Sequence, residues 1–344
     1  MRARWQIIQI LLCCLFVYDF VADTRHGVHL GAGKTNANRI EPRSIGHTGM
    51  SSKSKAHILP ILALLIAATM WGVFWYPLRL LESEGVVGLW AAFFIYLGTL
   101  VVAIPFAWRR REEISKFPLL LLLLGVASAW CNVSFFLAVI EGNVVRVILL
   151  FYLSPIWTVL LAKWLLKEYI SPFSWLLLAV AMLGAMVMLF DPHIGAPWPK
   201  SYADWLAISS GMAFALANVL TRKGREISVQ AKTSVAWIGA VVLSAVWLLF
   251  SGYSFPQASS LVIGFALVLG ALSMVLMTTL VLYGVSRMPA HRSAVILLFE
   301  LVAGAVSAQL LTNEVVHPQE WIGGGLIIAA AWLEARKVLA EDDA

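Results

Sequence analysis

Apolar runs of about twenty residues recur along most of the chain, and short polar stretches separate them. A run of this length forms a helix long enough to cross a bilayer core of about 30 Å. In lipid the run must be helical, because only a helix satisfies its own backbone hydrogen bonds. The sequence lacks the period-two alternation of outer-membrane barrel strands. The pattern predicts an all-α polytopic membrane protein with ten transmembrane helices, at residues 58–81, 86–108, 117–140, 144–166, 172–190, 203–221, 233–250, 260–285, 290–312 and 318–335.

Two segments, 146–175 and 292–321, carry the same charged, proline and tryptophan residues at a constant offset of 146 positions. The matched residues are Arg146 and Arg292, Glu168 and Glu314, Pro172 and Pro318, and Trp175 and Trp321. Each copy is an apolar helix, a short loop with Glu and Pro, and a second apolar helix. A shared period of this length indicates duplication of a half-protein. The alternative is a chance alignment of leucine-rich helices.

Lys and Arg residues are unequally divided between alternate connections. From residue 50 onward, 16 of them fall on one side of the predicted bundle, and only Arg79, Arg146 and Lys200 fall on the other. Such an excess marks the cytoplasmic side, so both ends of the ten-helix core are expected to be cytoplasmic. Five spans per half is an odd number, so the second half enters the membrane upside down. The sequence therefore predicts an inverted five-plus-five repeat, a design found in many secondary transporters.

Composition supports the membrane assignment and argues against a nucleic-acid partner. Apolar residues make up 60% of the 344 residues and charged residues 13%, whereas a soluble domain is about a quarter charged. The net charge of +6 lies in short loops that orient the protein, so no nucleic-acid partner is expected. The cysteines, Cys13, Cys14 and Cys131, have neither disulfide nor metal spacing.

The first 56 residues differ from the rest. The apolar stretch 7–20 is short for a span, and residues 22–56 are rich in Gly, Asn, Arg and His, which predicts a disordered extension. Met50 is a plausible true start, and an amphipathic anchor is the alternative. The predicted organisation is a first repeat at 57–191, an inter-repeat loop at 192–202, a second repeat at 203–337 and a tail at 338–344.

Several motifs together carry a resemblance to a known family. They are Trp71-Gly72 in helix 1, Ser154-Pro155-Ile156-Trp157 through Lys167-Glu168 in the first repeat, and Ala217-Asn218-Val219-Leu220-Thr221-Arg222-Lys223 at the end of helix 6. Over residues 58–337 the chain resembles the EamA family of the drug/metabolite transporter superfamily. The resemblance implies ten helices, cytoplasmic termini, a central solute cavity and alternating access. In the second repeat, Glu300-Leu301 replaces Ser154-Pro155.

Glu300 is the leading candidate for a coupling residue. It lies about 15 Å along its helix, close to the bilayer midplane, where a charge usually faces a bundle interior or a wet cavity. Ser293, Ala303, Gly304 and Ser307 share its helix face, which suits either a cavity wall or a tight helix contact. The functional interpretation is a group that binds a proton or a cation. The alternative is a neutral carboxyl held by burial and hydrogen bonds.

Other deep residues are weaker candidates for substrate binding. Pro155 breaks its helix and frees the carbonyl of Phe151, which marks either a solute site or a packing kink. Trp71, Trp75 and Tyr76 form either an aromatic cavity wall or ordinary packing. The remaining candidates are Asn132, Tyr152, Ser154, Ser210, Asn218 and Tyr283. Arg146 and Arg292 are interpreted as helix-end anchors or as gate residues paired with Glu141 or Glu168.

No catalytic or cofactor site is expected. The histidines have neither metal nor nucleophile-base spacing, and the GAGKT sequence at 31–35 lacks the glycine of a phosphate loop, having Val28 there. The sequence therefore predicts a non-enzymatic secondary transporter of a small organic metabolite or drug-like solute in a bacterial-type inner membrane, without cofactor or metal. A non-transporting receptor or scaffold is the rival class, and the sequence leaves a homodimer open.

Overall fold

The computed structural model describes residues 52–190, 199–312 and 316–340. Nearly all of the predicted N-terminal extension, most of the predicted inter-repeat loop and the last four residues lie outside the described ranges. The boundaries proposed for these segments therefore remain predictions.

Within the described ranges the helices form the ten spans that the sequence predicts. They are α1 (Ser52–Val73 and Trp75–Ser83), α2 (Gly88–Arg109), α3 (Pro118–Glu141), α4 (Val144–Phe151, Ser154–Leu161 and a π-helical turn Ala162–Leu166), α5 (Pro172–Met188), α6 (Tyr202–Lys223), α7 (Val229–Ser251), α8 (Ser260–Leu269, a π-helical turn Gly270–Met274, and Val275–Arg287), α9 (Ala290–Leu297 and Phe299–Leu311) and α10 (Pro318–Ala340). A short helix, Arg111–Lys116, connects α2 and α3.

Eight of these spans are long and apolar enough to cross a membrane. The exceptions are α5, which has 17 residues, and α10, which is long but carries Glu320, Glu334, Arg336 and Lys337. Large apolar side chains such as Val101, Leu249 and Leu310 are exposed on the outside. This is the surface expected of a protein that lipid surrounds.

Polar caps fix where several spans begin. Side chains accept a hydrogen bond from the first-turn backbone at Asn143 for α4, Ser171 for α5, Ser201 for α6, Ser228 for α7 and Ser259 for α8. At α6 the cap is reciprocal, because Asp204 also accepts from the backbone N–H of Ser201. Such caps satisfy amide groups that the helix itself leaves unpaired. They therefore place the polar–apolar boundary at a defined residue.

The two repeats pack together through shared apolar cores, including two large ones. One is centred on α2, α3, α7 and α8 and includes Tyr96, Trp237 and Met274. The other joins α4, α5, α9 and α10 and includes Tyr152, Val295 and Ile327. Each of these cores contains residues of both repeats, so neither half has a complete apolar interior alone.

Glycines allow the closest helix contacts between the repeats. A Cβ added to Gly98 of α2 would overlap the carbonyl oxygen of Leu267, and one added to Gly270 of α8 would overlap that of Ile95. Membrane helices use small residues in this way, because close backbone approach improves dispersion contacts where lipid offers no hydrophobic drive. The π-helical turn of α8 begins at Gly270, at the point of contact.

Candidate functional site

Two helices are interrupted at equivalent positions of the two repeats. In α4 the break lies at Tyr152 and Leu153, and in α9 it lies at Leu298, which is 146 positions after Tyr152. Pro155 occupies the second position of the helical segment that follows the first break, where its missing N–H is harmless. The second break has no proline, since Leu301 stands at the matching position, and the sequence did not predict it.

Each interruption packs against a glycine of the other repeat. The carbonyl oxygen of Phe151 in α4 would lie 2.7 Å from a Cβ on Gly211 of α6, and the carbonyl oxygen of Glu300 in α9 would lie 2.5 Å from a Cβ on Gly72 of α1. Any larger residue at either glycine would push the broken helix away. The two contacts, α4 with α6 and α9 with α1, are equivalents under the inverted repeat.

Glu300 lies in the first turn after the break in α9. Its carboxyl accepts a hydrogen bond from the hydroxyl of Tyr152, which lies beside the break in α4. The residue is surrounded by protein, yet its side chain retains accessible surface. A carboxyl at a helix N-terminus is favoured by the backbone dipoles. The structure therefore brings together Glu300, Tyr152 and both helix breaks.

A second set of polar side chains, on α2, α3 and α6, lies around Cys131. The thiol of Cys131 is within electrostatic range of Glu300, and Ser210 donates a hydrogen bond of 2.6 Å to the carbonyl of Cys131. The hydroxyl of the fully buried Tyr96 donates to the side-chain oxygen of Asn132 at 3.3 Å. Tyr96 is absent from the sequence-based candidates, because a tyrosine within an apolar run is indistinguishable from packing.

The predicted aromatic group on α1 is tied to α9. The indole N–H of Trp75 donates to the hydroxyl of Ser307 at 2.9 Å, and that hydroxyl donates to the carbonyl of Gly304 at 2.8 Å. Trp71 stacks at a tilt on Phe74, with 5.9 Å between ring centroids, and Tyr76 contacts the edge of Trp75 at 5.6 Å. Of the two alternatives for the small-residue face, Gly304 and Ser307 form a tight helix contact.

The remaining predicted site residues lie in different surroundings. Ser154 and Pro155 are buried, and the carbonyl of Ser154 accepts a hydrogen bond from Thr158. Asn218 is buried on α6, one turn before Arg222. The ring of Tyr283 lies beneath the guanidinium of Arg287, 3.7 Å from it. Asn218 and Tyr283 are therefore nearer one end of the bundle than the two helix breaks.

Ion pairs link the repeats at both ends of the bundle. We call the end that holds Arg109, Arg222 and Arg287 the basic end, and the end that holds Arg146 and Ser201 the opposite end. At the opposite end, the Nε atom of Arg146 on α4 lies 3.0 Å from each carboxylate oxygen of Asp204 on α6. Asp204 was not among the gate partners predicted for Arg146, which were Glu141 and Glu168. Asp204 is the partner because the cap of α6 holds its carboxylate beside the start of α4.

At the basic end the link is made by Glu168, in the loop after α4. Its carboxylate lies 3.3 Å from the Nε atom of Arg222, accepts from the backbone N–H of Ala290 at 3.1 Å, and lies 3.7 Å from Nδ1 of His291. Burial opposes ionisation of Glu168, but His291, the Ala290 N–H and Arg222 together hold the pKa of this carboxyl below its usual value. The stabilisation is therefore present at neutral pH and is lost as pH falls through the lowered pKa.

Arg292, the repeat counterpart of Arg146, has a different environment. Its Nε atom lies 3.8 Å from a carboxylate oxygen of Glu334 on α10, within the same repeat. Glu168, one of the two predicted gate partners, lies 3.3 Å from Arg222. Equivalent arginines thus link different pairs of helices, with Arg146 bridging the repeats and Arg292 bridging α9 and α10.

Across residues 52–190, 199–312 and 316–340, no three His, Cys, Asp or Glu side chains are grouped so that they could hold a metal ion. The polar groups at the helix breaks include the carboxyl of Glu300 and the phenol of Tyr152. Such groups bind protons and solutes by hydrogen bonding.

Comparison with known proteins finds a matching family, a curated relative and similar solved structures. Residues 58–190 and 201–335 match the EamA-like transporter family, one copy in each repeat. An uncharacterised transporter of Pseudomonas aeruginosa is 27% identical over 194 residues, which are 54% of this chain and 61% of that protein. The match thus spans about 61% of the relative's length. One crystal structure aligns with a TM-score of 0.61 at 19% identity, covering 83% of this chain and 99% of its own, and indicates the fold alone.

Proposed function

This chain belongs to the EamA-like transporter family, and we propose that it moves a small organic metabolite or drug-like solute by alternating access, coupled to protons through Glu300. The observation that carries the proposal is the position of Glu300. It lies deep in the protein with accessible surface, between two helix breaks that belong to different repeats. Breaks at membrane depth are tolerated where they line a cavity.

The coupling role rests on the partners of Glu300. Its described hydrogen-bond partner is Tyr152, a neutral phenol, so the carboxyl is not neutralised there by a fixed cation. A deep carboxyl of this kind takes up a proton or faces a cationic solute. Tyr152 lies at the break of the other repeat, so the bond between them is sensitive to any movement of α4 against α9.

The proposed location is a bacterial-type inner membrane with the basic end in the cytoplasm. Lys and Arg are concentrated in the connections at that end, which is typical of a cytoplasmic face. Solute would then enter or leave the cytoplasm between Glu168 and Arg222, and would cross the other face between Arg146 and Asp204.

These two ion pairs are proposed to close the two entrances in turn. Cys131, a buried thiol within electrostatic range of Glu300, offers a reporter once Cys13 and Cys14 are changed to serine. Arg146→Gln is expected to raise labelling of Cys131 by an impermeant maleimide from the opposite end only, and Arg222→Gln from the basic end only. Losing about 1.4 kcal/mol of a partly buried pair corresponds to roughly a tenfold increase.

The control for these variants is Arg225→Gln, which removes a cation from an exposed pair with Glu226 at the basic end. It should leave the labelling rate unchanged. Arg146→Gln is preferred to a change of Asp204, because that carboxylate also accepts from the backbone of Lys200 and Ser201. Equal increases from both ends in both variants would mean general loosening, and would remove the gate assignment.

The transport proposal itself is tested by flux. Purified protein in lipid vesicles should show saturable uptake or efflux of at least one member of a metabolite panel, and an imposed pH gradient should change the rate. Vesicles without protein provide the background. If no member of a broad panel moved above that background, the receptor or scaffold alternative would be preferred.

A further inference from the structure

Glu334 on α10 is a buried carboxyl that the transport proposal does not use. It is fully inaccessible, and within the described ranges neither of its carboxylate oxygens accepts a hydrogen bond. The nearest cation, Nε of Arg292 on α9, lies 3.8 Å away. That distance permits charge attraction but is too long for a hydrogen bond.

An ionised carboxyl in such a place is poorly stabilised. Burial without donors is costly for a charged group, and attraction to one arginine at this distance only partly offsets it. Asp204 gives the contrast within this protein, because it is equally buried yet accepts two backbone N–H groups and contacts Arg146 at 3.0 Å. Binding a proton would remove the unmet charge of Glu334 and leave its hydroxyl as a donor.

The repeat shows that packing does not require a carboxyl here. The position of the first repeat that matches Glu334 is Met188, which is buried in the apolar core of α4, α5, α9 and α10. The same architecture therefore accommodates an unbranched apolar side chain at this place. The carboxyl is confined to one half of the duplication, as Glu300 is.

We propose that Glu334 is a second proton-binding site, near the basic end. Its counter-charge is Arg292, and protonation of Glu334 would end the attraction between the two side chains. This rests on the proposed proton-coupled transport. Arg292 and Glu300 lie on the same helix, eight residues or about 12 Å apart, so α9 connects the two carboxyls. A change in the charge balance at Arg292 acts directly on the first segment of α9.

Few other ionisable groups face Glu334. Lys337, one turn along α10, donates to the hydroxyls of Ser171 and Ser174 at the start of α5. The rest of α5 has no ionisable side chain, and neither has the segment Ser154–Leu161 of α4 that packs on the start of α9. On α9 the neighbour of Arg292, His291, faces Glu168. Among these described residues, Arg292 is thus the charged group that lies next to Glu334.

Reaction with dicyclohexylcarbodiimide tests this assignment. A protonated carboxyl adds its oxygen to the carbodiimide carbon and its proton to a nitrogen, and the adduct rearranges to a stable N-acylurea with no leaving group. With the whole protein in detergent, peptide mass spectrometry should show modification of Glu334 that decreases as the pH is raised, because only the protonated carboxyl reacts. Asp204 should stay unmodified throughout. Arg292→Met should increase modification of Glu334 near neutral pH.

An infrared pH titration guards against poor access of the reagent. The wild-type protein should show a protonated-carboxyl band that titrates with pH and is lost in Glu334→Met, a variant that copies the first repeat. Absence of that band, or modification that ignores both pH and Arg292→Met, would overturn the proposal. Glu300 is read on its own peptide and through Glu300→Gln. Failure at Glu334 with a pH-dependent Glu300 would therefore refute the second site and leave the coupling role of Glu300 standing.

Discussion

Glu300→Gln is expected to abolish the response of solute flux to an imposed pH gradient, with at least a tenfold loss of the gradient-driven rate. Glutamine keeps the size of the side chain and can still bond Tyr152, but it cannot bind or release a proton. A tenfold loss corresponds to about 1.4 kcal/mol of coupling. The measurement is flux in vesicles at equal and unequal pH on the two sides.

Two further variants separate the loss of the Glu300 carboxyl from other effects on transport. Glu82→Gln removes an exposed carboxyl at the end of α1 and should transport like the wild type. Tyr152→Phe keeps the carboxyl but removes its hydrogen bond, so the pH gradient should still act, at a shifted pH optimum. Wild-type flux with unchanged pH dependence in Glu300→Gln would make the residue structural, and the coupling role would be withdrawn.

Gly98→Ala and Gly270→Ala are each expected to destabilise the protein strongly. The added methyl group would meet a backbone carbonyl of the facing helix, which cannot rotate away as a side chain can. Overpacking costs about 3 kcal/mol at the upper end of its usual range. The midpoint of thermal unfolding in detergent should therefore fall by roughly 5 °C or more.

Gly264→Ala is the matched control, because Gly264 lies on α8, as Gly270 does. Nothing lies within 4 Å of a Cβ added there, so the change in helix propensity should be its only effect. If all three variants melted together, the contact between α2 and α8 would contribute little to stability, and the glycines would have to be explained differently.

The ten spans were predictable because bilayer thickness fixes the length of an apolar run whatever its neighbours. The inverted arrangement was predictable because charge bias and an odd number of spans suffice. The break in α9 was not predictable, since Leu301 does not force it and the close approach of Gly72 is a tertiary contact. The prominence of Glu300 followed from its depth alone, whereas its partner at the break in α4 depends on the fold.

Charged residues near helix ends were the hardest to interpret. Glu334 precedes Arg336 and Lys337, a pattern that suggests a solvated helix end, yet it is fully buried because α9 covers it. The Ser201–Asp204 capping box was readable from spacing, and it would have pointed to Asp204 as a fixed carboxylate at the start of α6. Spacing alone does not show that the start of α4 lies next to the start of α6, which is the arrangement that brings Arg146 to Asp204.

The contact of Gly211 with the carbonyl of Phe151 has a mechanical consequence. It lies between the two ion pairs that join α4 to α6, so it is a natural pivot for rocking one helix against the other. Asp204 is seven residues from Gly211, and Arg222 is eleven residues from it, which gives lever arms of about 10 Å and about 16 Å. If α6 rocks as a rigid rod, one rotation would displace the basic end about one and a half times as far as the opposite end. The entrance between Glu168 and Arg222 would then open wider than the entrance between Arg146 and Asp204.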